Sequence, residues 1–203
     1  MLKRGDTRQS LIEGALQILS GDKSFDGLSL RELTREVGIV PTAFYRHFPG
    51  MDELGQALVD ESFRGLRRIL DDVRKDTRTA ERPVAAVIKS LLTHVHKQRL
   101  HFRFIVSERY GGSAVVRDAI RREMRLVQSE LAVDLARFPY LNEWSTPDLH
   151  MLAALIVNAL VSVTEEILER GESDRVAEKE LVKLAEKQLR LILLGVPKWK
   201  SAD

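Results

Sequence analysis

Residues 28 to 48 read LSLRELTREVGIVPTAFYRHF, two short helical patterns joined by three residues. Ser29 stands three positions before Glu32, the spacing at which a serine hydroxyl accepts an amide hydrogen while the glutamate carboxylate returns to the serine N–H. Leu33 and Val37 carry the helix on to Gly38, which lacks Cβ and so admits the left-handed conformation that ends a helix. After the turn Gly38-Ile39-Val40, Pro41 has its φ set for a first helical turn and opens a second segment to Phe48, although Val40 caps it poorly. Helix, glycine turn and short helix make a helix-turn-helix, whose second helix fits the major groove of DNA. Glycine-turned helical hairpins also occur in proteins that never touch DNA, so residue types have to decide.

The same periodicity extends in both directions. Upstream, Leu11, Ile12, Ala15, Leu16 and Leu19 recur at helical spacing within a first helix from Asp6, which stops at Ser20-Gly21. Downstream, a fourth helix from about Asp52 carries Leu54, Leu58, Phe63, Leu66 and Ile69 toward Val73, with Arg64, Arg67, Arg68 and Arg74 facing out. The polar stretch Lys75 to Arg82, ending at Pro83, is the expected break before a larger helical body. Five further helices are expected at about 83–98, 100–109, 113–136, 146–170 and 174–194. The eighth is apolar nearly all round from Met151 to Val163, and such a helix needs two partners. The ninth places Leu181, Leu184, Leu191 and Leu194 at heptad-like positions, so these two helices are expected to pair with their copies in a homodimer. The expected fold is therefore all-α. A three-helix DNA-binding domain fills residues 1–51, and a helical ligand-binding and dimerisation domain fills 52–203.

Composition narrows the class. Hydrophobic content of 44%, charged content of 31% and no cysteine suit a helical protein of a reducing compartment, without a disulfide framework, a thiolate metal site or a thiol nucleophile. The start has bases but no apolar signal region, and the run MLAALIV before Asn158 is short for a bilayer, so a cytoplasmic protein off the membrane is expected. Net charge is only +2, but its distribution is uneven. Lys3, Arg4 and Arg8 crowd the first eight positions, an arm able to meet phosphate. Residues 89 to 125 carry nine bases against Glu108, Asp118 and Glu123, whereas from residue 126 on acids predominate.

LRELTREVGI at 30–39 followed by FYRHF at 44–48 closely resembles the helix-turn-helix signature of TetR-family regulators. GIVPTAFYRHF with MDELGQALVDES, and FRFIVSERYGGSA at 102–114, are similar to the repressors of fatty-acid desaturation of the DesT and FabR type, which respond to long-chain acyl-CoA. The resemblance implies a repressor of unsaturated fatty acid synthesis genes that binds palindromic double-stranded operator DNA as a homodimer. It needs no cofactor beyond an acyl-CoA effector. Many relatives carry a phosphate-binding lysine where this chain has Met51; Lys3, Arg4 and the N-terminus of the fourth helix are the substitutes considered.

Phe44 and Phe48, four apart on a short helix, read as anchors to a core. Thr42 and Tyr45 lie toward the other face, where a hydroxyl or phenol meets phosphate or a thymine methyl, and Ala43 is a further candidate DNA contact. His47 donates to phosphate, as the resemblance implies, or caps its helix. Arg46 is solvated or faces phosphate, and Ser29 is first a cap and second a phosphate contact.

In the body, Phe102, Phe104 and Tyr110 sit beside Arg99, Arg103 and Arg109. Read from the residues alone, this is a core helix with a solvated face. Read through the resemblance, it is the mouth of an acyl tunnel with a basic rim for coenzyme A phosphates. Asn158, set in an apolar helix, needs a partner in the dimer interface or the pocket. His94, His96 and His101 do not make a metal site, because i and i+2 on a helix point apart. Sensing of another hydrophobic molecule, or turnover of an acyl thioester, are the competing readings, although no phosphate loop, nucleophile elbow or acid/base pair is recognisable.

Overall fold

The computed structural model describes residues 4–21, 23–79, 83–170 and 175–201. Its elements are α1 (Arg4–Leu19), a 3-10 turn (Phe25–Gly27), α2 (Leu30–Val37), α3 (Pro41–Phe44), α4 (Met51–Thr79), α5 (Pro83–Lys97), α6 (Arg99–Glu108), α7 (Ala114–Leu135), α8 (Thr146–Glu169), α9 (Arg175–Leu194) and a last 3-10 turn (Val196–Lys198). No strand occurs among the described residues, and the all-α expectation holds.

Two elements depart from expectation. The second reading helix was expected to reach Phe48, but α3 ends at Phe44. His47 N–H then bonds to Phe44 O at 2.8 Å and Arg46 N–H to Ala43 O at 3.3 Å, a tightening turn of i to i+3 bonds. Pro49 gives the reason, since its ring disfavours helical backbone at Phe48. The other departure is α4, which runs on through the polar stretch to Thr79. Charged residues such as Lys and Arg are good helix formers, and polarity without Gly or Pro does not break a helix; residues 80–82 lie outside the described residues. Arg67 is also not a free outward cation, because it pairs with Glu123 and Glu130 on α7. The Arg68 and Arg74 side chains lie outside the described residues.

The chain forms two compact units. The first unit takes residues 1–66 together with 98–122, and the second takes 67–97 with 123–203. In the first, Leu11, Ile12, Leu33, Phe44, Leu54, Leu58, Phe63, Phe104 and Ile120 are fully buried, so α6 and the start of α7 share a core with the helix-turn-helix. α1 packs on both α2 and α6. At Gly14 a Cβ would lie 2.7 Å from Val37 Cγ2, which is why glycine stands where α1 and α2 approach.

In the second unit α8 packs on α9 and α5. By length and composition α8 is apolar enough to cross a bilayer, contrary to the reading of its apolar run as too short. Its Leu149, Leu152, Ala153, Val157, Val163 and Ile167 are buried in the protein instead. Ser145 caps α8 by accepting the Asp148 N–H, with Pro147 in the first turn. The chain's end is tied to the same place, as Ser145 N–H donates to Ser201 Oγ at 2.8 Å and Ser201 Oγ–H to Asp148 Oδ2.

Candidate DNA-reading surface

The geometry of the helix-turn-helix follows from its sequence. Ser29 is extended at φ −94° and ψ 147°, and its Oγ accepts the Glu32 N–H at 3.2 Å. Glu32 is held below the ordinary carboxylate range, first by the Lys23 ammonium bonded to it, then with help from the Ser29 N–H and Arg35. Lys23 thus ties the approach to α2. Thr34 is buried, with its hydroxyl donating back to Leu30 O at 2.9 Å. Gly38 adopts φ 73° and ψ 32°, and Ile39 N–H closes on Thr34 O at 2.9 Å, completing the left-handed helix end.

From that turn α3 is seated by two aromatic anchors. Phe44 and Phe48 are buried, their ring centroids 5.6 Å apart, and Tyr45 meets Phe44 edge-on at 5.5 Å. With one face of the short segment fixed, the other is presented. Thr42, Tyr45 and Arg46 are exposed, Tyr45 at 59%, while Ala43 and His47 are half-buried beside them. Ser29 is exposed at the start of α2, which packs on α3. Six of the eight residues expected to meet DNA therefore lie on α3, in the turn that follows it, or at the cap of α2. Lys3 lies outside the described residues, and of Arg4 only its place at the start of α1 is described.

One cation was missed as an individual site. Arg8 on α1 is exposed and places its guanidinium 5.0 Å from the centre of the Phe48 ring. It therefore stands at the turn three residues before Met51, where a cation was sought. The crowding of bases in the first eight positions was the available signal, but which base reaches the turn depends on how α1 docks.

The residues expected to hold a ligand divide between the units. Phe102 and Phe104 are buried in the first unit, and Arg99 and Arg103 are half-buried on the same helix. Tyr110 is 77% exposed, with the Arg109 guanidinium over its ring at 4.6 Å and donating to its hydroxyl. Asn158 belongs to the second unit and is exposed on α8. The three histidines have different partners: His94 Nδ1 meets Ser90 O at 2.8 Å, His96 Nε2 meets Glu178 at 3.1 Å, and His101 Nδ1 meets Ser62 Oγ at 3.0 Å.

A capped helix, a left-handed glycine turn and a short second helix with a buried aromatic face and an exposed polar one define a helix-turn-helix protein of the DNA-reading class. Residues 11–58 match the family model for bacterial regulatory proteins of the tetR family, and residues 80–195 match the model for the tetracycline repressor-like C-terminal domain. The chain belongs to the TetR family of bacterial transcriptional regulators.

Solved structures share this fold along nearly their whole length. A TetR-like transcriptional regulator from Rhodococcus sp. RHA1 is 18% identical with a TM-score of 0.67, over 96% of this chain and 100% of that one. The transcriptional regulator FadR from Bacillus subtilis, solved in complex with stearoyl-CoA, is 13% identical with a TM-score of 0.70, over 92% and 98%. The fatty acid degradation regulator FadR from Bacillus halodurans is 14% identical with a TM-score of 0.62, over 96% and 98%.

Proposed function

We propose that this regulator is a repressor that binds a palindromic operator as a homodimer and releases or grips it according to the long-chain acyl-CoA it holds. The observation that carries DNA reading is the exposed Thr42, Tyr45 and Arg46 set on the buried Phe44 and Phe48, a polar face held rigid by an apolar one. Ser29, Ala43 and His47 complete the contact, with Lys3, Arg4 and Arg8 on the flanking phosphates. For the dimer, α8 leaves Met151 and Leu155 exposed, and α9 leaves Leu184, Leu191 and Leu194 exposed. Apolar stripes on two neighbouring helices are the material of a four-helix interface.

The effector reading draws on the residues of α6 and on the fold shared with a FadR bound to stearoyl-CoA. Phe102 and Phe104 would line the acyl chain, Arg99, Arg103 and Arg109 would meet coenzyme A phosphates, and Tyr110 would add a polar contact. Because Phe102 and Phe104 are closed into a core, acyl entry has to rearrange them, and packed cores change between discrete arrangements. Genes of unsaturated fatty acid synthesis are the proposed targets, and the cytoplasm is the proposed place of action.

The test is titration of the operator complex with oleoyl-CoA, palmitoyl-CoA and free coenzyme A. Unsaturated chains should favour the DNA-bound state and saturated chains oppose it. A tenfold effect requires a differential affinity of about 1.4 kcal/mol between the two states. Three superimposable curves would leave a repressor with another hydrophobic effector, and hydrolysis of the thioester without DNA binding would turn the assignment to an enzyme.

A further inference from the structure

The stretch Glu108-Arg109-Tyr110-Gly111-Gly112 closes α6, and its part in the molecule has so far rested on resemblance alone. Glu108 is 1% exposed. Its Oε1 accepts the Phe25 N–H at 2.8 Å, joining α6 to the 3-10 turn that leads into the Ser29 cap. Its Oε2 is buried with no hydrogen-bond partner. A Cβ on Gly111 would overlap Oε2, and one on Gly112 would overlap the Asp26 carboxylate, so the two glycines are the space these acids occupy. Arg117 Nη1 donates to both glycine carbonyls and holds that loop. Phe25 itself is wedged against Gly55 of α4, where a Cβ would lie 2.9 Å from the ring and 2.7 Å from Val116 Cγ2.

A carboxyl is a costly group to bury in a slot that leaves one oxygen unpaired. Leucine would fill the same space but would leave the Phe25 N–H without an acceptor. What glutamate alone supplies is a fixed position for that amide. We propose that Glu108 is a positioning residue for DNA reading, whose carboxyl sets the turn from which α2 starts and thereby the stance of the Thr42–His47 face. This rests on the reading of that face as the DNA contact.

Burial pushes the Glu108 carboxyl above its ordinary range, the Phe25 N–H opposes that, and the neighbouring Asp26 adds to it. The charged groups at the joint are Asp26 on the turn, bonded to Ser24 Oγ, and Arg117 on α7, bonded to the glycine carbonyls; Arg109 on α6 is turned to Tyr110. Ionisation therefore places a second negative charge beside Asp26 in a slot without a donor for Oε2, and loosens the joint as pH rises.

The experiment uses the full-length protein and a duplex enriched by the wild type from a random-sequence pool. Glu108→Gln keeps the acceptor without a titrating group. It should bind within about twofold of the wild type in acid and lose less affinity than the wild type as pH rises above the ordinary glutamate range. Glu108→Leu should melt near the wild type yet bind at least about tenfold more weakly, with the Phe25 amide exchanging its hydrogen at least about tenfold faster. A folded Glu108→Leu protein with wild-type affinity and a protected Phe25 amide overturns the proposal. Should Glu108→Leu fail to fold, the Gln variant decides, and a pH profile parallel to the wild type overturns the proposal just as well. If the wild type enriches no duplex, the DNA reading fails on its own account, and Phe25 exchange in Glu108→Leu still shows whether the joint is held by this carboxyl.

Discussion

Tyr45 shows how a side chain is made available for recognition: its ring leans edge-on against Phe44 while the residue as a whole stays exposed. Tyr45→Ala should weaken operator binding by roughly 1–3 kcal/mol with helicity unchanged, as circular dichroism and a binding titration would report together. Arg8→Ala should instead weaken all duplexes alike and lower the slope of log affinity against log salt by about one. A third residue gives a pH signature in the second unit. Asp148 is held below its ordinary value of 3.8, first by the Ser201 hydroxyl, then by Trp199, with Ser145 also contributing. A depressed acid stabilises above its unfolded pKa and loses that contribution as pH falls through its folded one. Ser201→Ala should therefore lower the melting temperature near neutrality, with the gap to the wild type shrinking below about pH 4. Phe44, Phe48, Ser29 and Gly38 were legible in the sequence, because local spacing and backbone chemistry dictate their roles. Arg8 and Glu108 were not, since the partners Phe48 and Phe25 are brought to them by tertiary packing.

The turn between α2 and α3 depends on Gly38 at φ 73°, a conformation that costs an L-residue with a Cβ roughly 1–2 kcal/mol. Gly38→Ala should lower stability by about that amount in denaturant melts, with the space around the new methyl not adding to it, since nothing lies within 4 Å. On α8 two positions two residues apart should give opposite failures. Leu155→Glu places charge on an exposed site and should give a folded monomer in sedimentation, whereas Ala153→Glu, in a fully buried site, should unfold the protein. A folded dimer from Leu155→Glu would remove α8 from the interface. Helix existence was readable from periodicity along the whole chain, because apolar residues recur wherever a helix meets a core. Helix ends were less so: Pro49 shortened α3, and α4 runs into the polar tract as far as Thr79 before α5 opens at Pro83.

At the scale of the molecule, the chain's weak net charge means that DNA affinity must come from local placement, and binding should fall steeply with salt as phosphate contacts release counterions. The composition of the two units was not legible at all, because nothing in a linear pattern says that residues 98–122 return to the helix-turn-helix. That return has a consequence during synthesis. When residue 66 leaves the ribosome, the DNA-reading unit still lacks the α6 and α7 residues that complete its core, among them Phe104 and Ile120. At roughly 5–20 residues per second, the remaining stretch takes roughly 3–11 s to be translated, and for that interval Phe44 and Leu33 have no finished core to enter. Nascent chains stalled near residue 66 should be cut readily by protease at α1 to α3, and chains stalled far enough beyond residue 122 for it to clear the exit tunnel should resist. Trigger-factor-like holdases would then find their longest engagement on the segment that later reads the genome.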